Sequence, residues 1–140
     1  MKVLKTEKHT LCIAKIKIDN PNEVIPIIGG NLQILYAKCW EHVVFATLLA
    51  LRAFERGTNH AKMVNGEILL RLAGTLQINE AIKEHGVRAG ENFVVVYGDR
   101  CKEELMKLLN ELKLKELPLG ECKDENLKSL FEKAALVEVL

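Results

Sequence analysis

The sequence predicts an α/β (α+β) fold, in which a small mixed sheet packs against helices within a single domain spanning 1–140. Three observations predict it. Thr10 to Ile18 alternates apolar and polar side chains, as a half-buried strand does. Trp40 to Arg56 is apolar almost all round, as a helix buried on more than one side is. Further strand-like and helix-like segments are interleaved along the chain, with no linker, internal repeat or low-complexity stretch to divide it. A length of 140 residues suits one domain with one sizeable core.

Taken in order, the strand Thr10–Ile18 turns Cys12, Ala14, Ile16 and Ile18 one way, and Lys15 and Lys17 the other. Asn20-Pro21 reads as a helix cap followed by a proline in the first turn, and the short helix would stop at Gly29-Gly30. Asn31 to Ala37 is a second strand. The helix Trp40–Arg56 carries Glu41 near its start, with Arg52 and Arg56 near its end and Gly57 just past it, all favourable to the macrodipole and to a C-terminal stop. Two short helices come next, Gly66–Ala73 ending at Gly74 and Gln77–His85 ending at Gly86. Phe93 to Tyr97 is a compact apolar strand. Asp99 would cap the next helix, where Leu105, Leu108, Leu109 and Leu112 form one stripe. Pro118 and Gly120 break the chain. Asp124 would cap a last helix facing the core with Leu127, Leu130, Phe131 and Ala134. The tail from Leu136 to Leu140 reads as a strand or a docking arm.

Charge and composition narrow the function. The net charge of +1 argues against a wholesale polyanion binder but leaves room for a local basic patch. That patch should come from the first two thirds of the chain, because acidic residues outnumber basic ones after residue 99. The charged start Met1-Lys2-Val3-Leu4-Lys5 is unlike a signal peptide, and the apolar run Val43–Leu51 is far short of a membrane span. Cys12, Cys39, Cys101 and Cys122 lie far apart in sequence, which suits a reduced, cytoplasmic protein with free thiols.

The chemistry of an enzyme is not legible. Gly29-Gly30 lacks the glycines and lysine of a phosphate loop. His9, His42, His60 and His85 do not pair at metal-ligand spacing, so no metal and no cofactor is expected. Cys39 has no positioned base near it in sequence and reads as a buried thiol. Glu80 and Glu84 read as solvated carboxylates one helical turn apart.

One stretch is unusual. After Arg52 and Arg56 comes the polar loop Gly57-Thr58-Asn59-His60-Ala61-Lys62, and then Glu67 and Arg71 at a spacing that puts them on one helix face. Arg, Lys, Asn and His on a loop held by a rigid helix suit phosphate and sugar contacts. The same residues also fit a solvated loop with a surface Glu–Arg pair.

Arg56-Gly57-Thr58-Asn59 with Ala61-Lys62, Glu67-Ile68-Leu69-Leu70, Ala73-Gly74, Gln77-Ile78 with Glu80-Ala81-Ile82, and Gly86 together resemble the small accessory subunit of the KEOPS complex, the PRPK-binding protein family, in its shorter archaeal form. The resemblance covers nearly the whole chain. It implies a non-catalytic subunit that binds the kinase-like ATPase subunit of KEOPS and meets the other KEOPS subunits indirectly. It also implies recruitment of tRNA, through the 3′ CCA end, for threonylcarbamoyladenosine modification beside the anticodon. On this reading tRNA meets Arg52, Arg56, Asn59, His60, Lys62, Glu67 and Arg71. The kinase-like partner meets an apolar surface around Leu76, Ile78 and Ile82, unless those three belong to the core. A purely structural scaffold without RNA contact, and a small enzyme with an unadvertised site, are the competing readings. No membrane is expected among the partners.

Overall fold

The computed structural model describes residues 1–122 and 127–140. In chain order the regular elements are β1 (Lys2–Lys5), β2 (Thr10–Ile18), β3 (Leu32–Leu35), α1 (Trp40–Arg56), α2 (Val64–Ala73), α3 (Ile78–His85), β4 (Gly90–Tyr97), α4 (Cys101–Glu111), β5 (Lys115–Leu117) and α5 (Leu127–Leu136). The α/β class is as expected. The chain sorts these elements into two compact units, each built from two segments. One holds Met1–Tyr36 and Val87–Gly120, the other Ala37–Gly86 and Glu121–Leu140.

The first unit is a five-stranded sheet with one helix. The strand order is β1-β2-β4-β3, and β5 also pairs with β2. β1 takes Thr10 to Ile13 and β5 takes Lys15 to Lys17, so the two short strands share one edge of β2. Every pairing is antiparallel, so the sheet is not of mixed direction. The alternation of β2 decides its core face. Cys12, Ala14, Ile16 and Ile18 pack with Ile34, Val94 and Val96, and with Cys101 and Leu105 of α4. On the other face Lys15 reaches Glu91 on β4 at 3.2 Å.

Several local expectations change here. Asn20 does cap, its side chain accepting from the Asn22 N–H, but the capped segment is a pair of 3-10 turns, Pro21–Glu23 and Ile25–Ile27, and not one helix. Pro26 inside the second turn has no N–H to continue a helical ladder. The residue before α4 is Arg100, with no side-chain cap bond, so Asp99 does not cap that helix. Cys12 and Cys101 face each other with sulfurs 2.9 Å apart. Burial, with the Cys101 contact second, pushes the Cys12 thiol up to about 12.

The second unit is helical. α1 has the predicted bounds and ends on Gly57 at φ 71°, and α2 ends on Gly74 at φ 68°. Both are left-handed positions that glycine takes without a side-chain clash. α2 packs on α1 and α3, and α5 lies on α1 and α2. Ala46, Ala50 and Ala53 on α1 and Ile68 and Leu72 on α2 are fully buried. Phe45 and Phe131 stack at 4.7 Å between ring centres. Beside them Ala134 is buried while Leu130 and Phe131 are half-buried. Cys39 and Cys122 are joined as a disulfide, with Cα atoms 5.0 Å apart. This corrects the expectation of free thiols for that pair: the fold closes a sequence separation of 83 residues that no spacing rule reveals. Asp124, expected as a cap, lies outside the described residues. The tail forms a 3-10 turn, Val137–Val139, and not a strand. No helix among the described residues is long and apolar enough to cross a membrane.

Candidate functional site

The site grows out of the α1–α2 connection. α1 delivers Arg52 and Arg56 to the surface, with exposed side chains. The loop 57–63 then has to satisfy its backbone amides without a helix ladder. Glu67 does this from inside α2. Its Oε1 accepts from the His60 N–H at 2.7 Å and from the Ala61 N–H at 2.8 Å. Asn59 donates its side-chain amide to the Ala61 carbonyl at 2.8 Å, closing the turn from within. Gly66 lets the loop lie against the helix, because a Cβ there would meet the Ala61 methyl at 3.2 Å.

Glu67 is held in turn by Arg71. The Arg71 Nε donates to the second Glu67 oxygen at 3.0 Å, across one helical turn. Both side chains are fully buried. A carboxylate that accepts two backbone N–H groups and one guanidinium N–H is well supplied, which is how the interior tolerates it. The spacing of Glu67 and Arg71 on one face was right, but the pair is not at the surface. Neither side chain reaches solvent, and residues 137 and 138 lie against the loop and Arg71. Arg71 Nη1 stands 3.0 Å from Glu138 Oε1, and His60 Nε2 lies 3.0 Å from the Val137 carbonyl.

A basic and polar rim remains at the surface. Arg52, Arg56, His60 and Lys62 are exposed and Asn59 is half-buried. The loop backbone beneath is fixed by Glu67. An ordered loop backbone with exposed cations around it suits a ligand with phosphates and hydrogen-bonding edges. Among the described residues no three His, Cys, Asp or Glu side chains group as metal ligands.

A second feature of the same unit is apolar. Leu76, Ile78 and Ile82 are 42%, 40% and 51% exposed, so none of the three is core. Ile78 and Ile82 stand one turn apart on α3, whose only buried residue is Ala81. Met63 joins the exposed apolar residues, as do Leu136, Val139 and Leu140 in the tail. Sequence reasoning missed the part of Val137 and Glu138. The one available signal was a lone acid in an otherwise apolar tail.

Two comparisons bear on this chain. A family model described as kinase binding protein CGI-121 matches residues 38–139. The KEOPS complex subunit Cgi121 of Pyrococcus abyssi (strain GE5 / Orsay) is 45% identical over 141 residues, covering 98% of this chain and 82% of that protein.

Proposed function

The chain belongs to the CGI-121 family of kinase-binding proteins, and from that premise we propose that it is a non-catalytic accessory subunit of the KEOPS complex. In this role it binds the kinase-like ATPase subunit and recruits tRNA by its 3′ CCA end for threonylcarbamoyladenosine formation beside the anticodon. It works in the cytoplasm with other KEOPS subunits, which it meets through the kinase-like one.

The observation that carries the reading is the exposed trio Leu76, Ile78 and Ile82. Large apolar side chains left in water on one short helix and its approach are a docking surface for a protein. The RNA half rests on Arg52, Arg56, His60 and Lys62 around a loop whose backbone is already ordered. Ordering in advance lowers the entropy lost on binding. The chain has few aromatics, so hydrogen bonds and phosphate contacts carry more of the recognition than stacking does. Glu67 and Arg71 support the loop from beneath.

The test is a pair of variants measured against two partners. Ile82→Glu should abolish binding to the kinase-like subunit while the far-ultraviolet spectrum stays unchanged. Lys62→Glu should weaken tRNA binding and leave the kinase-like partner bound. Removing CCA from the tRNA should weaken it similarly. Equal binding of tRNA with and without CCA, together with a silent Lys62→Glu, would leave a scaffold that touches protein alone.

A further inference from the structure

Arg71 is an incompletely used cation. It is fully buried, yet only its Nε has an aligned acceptor, on Glu67. Nη1 sits 3.0 Å from Glu138 without hydrogen-bond alignment, and Nη2 has no acceptor among the described residues. A guanidinium is a fork that matches a two-oxygen anion. Here that fork meets one oxygen of Glu67 in an aligned bond and one oxygen of Glu138 without alignment. Leaving a buried donor unmade is costly, so a buried arginine with two nitrogens short of an aligned acceptor points to one that fits the fork better than Glu138 does.

Glu138 is also placed to leave. About a third of its side chain is in solvent (35%), whereas the Arg71 side chain beneath has none. It stands on a three-residue 3-10 turn whose anchor is its neighbour, the buried Val137. Val137 is held independently by the His60 ring at its carbonyl. Rotation of the Glu138 side chain would release Arg71 Nη1 without breaking the His60–Val137 contact.

We infer that Arg71 is the floor of an anion site which Glu138 occupies from within the chain, and that the ligand it stands in for is a phosphate diester of the RNA end. The inference rests on the RNA-binding reading above and adds its regulation. A phosphate diester carries one negative charge, as Glu138 does. The exchange leaves the charge around Arg71 unchanged, so the buried guanidinium never stands alone. The diester offers two free oxygens to Nη1, once Glu138 has left it, and to Nη2. The carboxylate that fixes Arg71 also fixes the His60 and Ala61 amides, so a phosphate there lies beside the loop with Lys62. The polar and basic rim favours RNA over an acidic peptide. Glu138 thus competes with RNA and sets its affinity.

The experiment uses the full chain and the neutral, isosteric Glu138→Gln, with Glu138→Ala as a second variant should the first pack poorly. The first probe is inorganic phosphate, against chloride at equal ionic strength. Glu138→Gln should gain a saturable rise in Tm that the parent protein lacks, and its Arg71 Nε–H resonance should move with phosphate. The second probe is a single-stranded RNA ending in CCA. It should bind Glu138→Gln about fivefold or more tightly, a change at the lower end of ordinary coupling between two ligands. Its salt dependence should steepen by about one phosphate contact. An Arg71 signal that ignores phosphate in both variants overturns the anion site. RNA bound equally by parent and variants overturns the competition and leaves the RNA-binding reading intact. A phosphate response without RNA binding by any of the proteins overturns that reading, and with it the ligand named here. Tightening by an acidic peptide and not by RNA does the same.

Discussion

The sheet unit keeps charge out of its interior, and the helical unit does not. In the sheet unit the buried polar side chains are Gln33 and Asn92, both neutral. Asn92 closes a turn with the Arg88 backbone, accepting at 3.0 Å and donating at 2.6 Å. In the helical unit the buried polar groups include His42, Thr47, Glu67 and Arg71. The helical unit leaves Met63, Leu76, Ile78, Ile82, Leu136, Val139 and Leu140 in water, and the sheet unit leaves Met1, Val3, Ile25, Met106 and Leu112 there. A structure that hides ions and shows hydrocarbon departs from what stability alone favours. What separates the units is buried charge, which the helical unit holds and the sheet unit does not.

That contrast is open to measurement. Glu67→Ala should be the most damaging single change, at about 3–5 kcal/mol, because it strands a buried arginine and two loop amides. Denaturant unfolding reads the loss, and faster hydrogen exchange at His60 and Ala61 locates it. Cys39→Ser should cost about 3–4 kcal/mol, by releasing the loop that the disulfide closes across a separation of 83 residues. The check is calorimetry with and without reductant, with the variant insensitive to it. In the sheet unit Leu105→Ala should cost about 3 kcal/mol through transfer and cavity terms. It should leave exchange in the loop 57–63 unchanged, and a change there would break the contrast.

At neutral pH the smallest effect is that of a titrating thiol, which shows only in alkaline solution. The Cys12 thiol, ordinarily at 9.0, is pushed up to about 12 by burial. Between those values the unfolded chain releases the thiol proton and the folded chain keeps it. The contribution is complete below pH about 9 and disappears as the pH rises towards 12. Replacing Cys12 by Ala should flatten that part of the stability curve, measured as the difference between the two proteins.

The sequence was most readable where one periodicity ran long. Trp40–Arg56 came out with its observed bounds because seventeen residues repeat one pattern and Gly57 stops it. Thr10–Ile18 did so because each second side chain enters one core. β1 escaped because Lys2 and Lys5 flank only two apolar residues, and β5 because three residues carry no period. Both form only by borrowing an edge of β2, which is tertiary information. The site was half legible. The loop and its flanking cations are readable from composition and spacing. The depth of Glu67 and Arg71 is not, since a pair four residues apart looks the same on a wet face as on a dry one. Val137 and Glu138, distant in sequence, are what dries it. The disulfide was hidden for the same reason.

The interleaving of the two units has a consequence for the chain as it is made. Translation delivers α1, α2 and α3 well before residues 121–140, which carry the helix that packs on α1 and α2. The sheet unit holds all its residues once Gly120 has emerged and is free to fold then. Until the last segment appears, the apolar faces of α1 and α2 that α5 will cover stay open beside the ribosome. In that interval the chain shows an apolar surface that the finished fold covers.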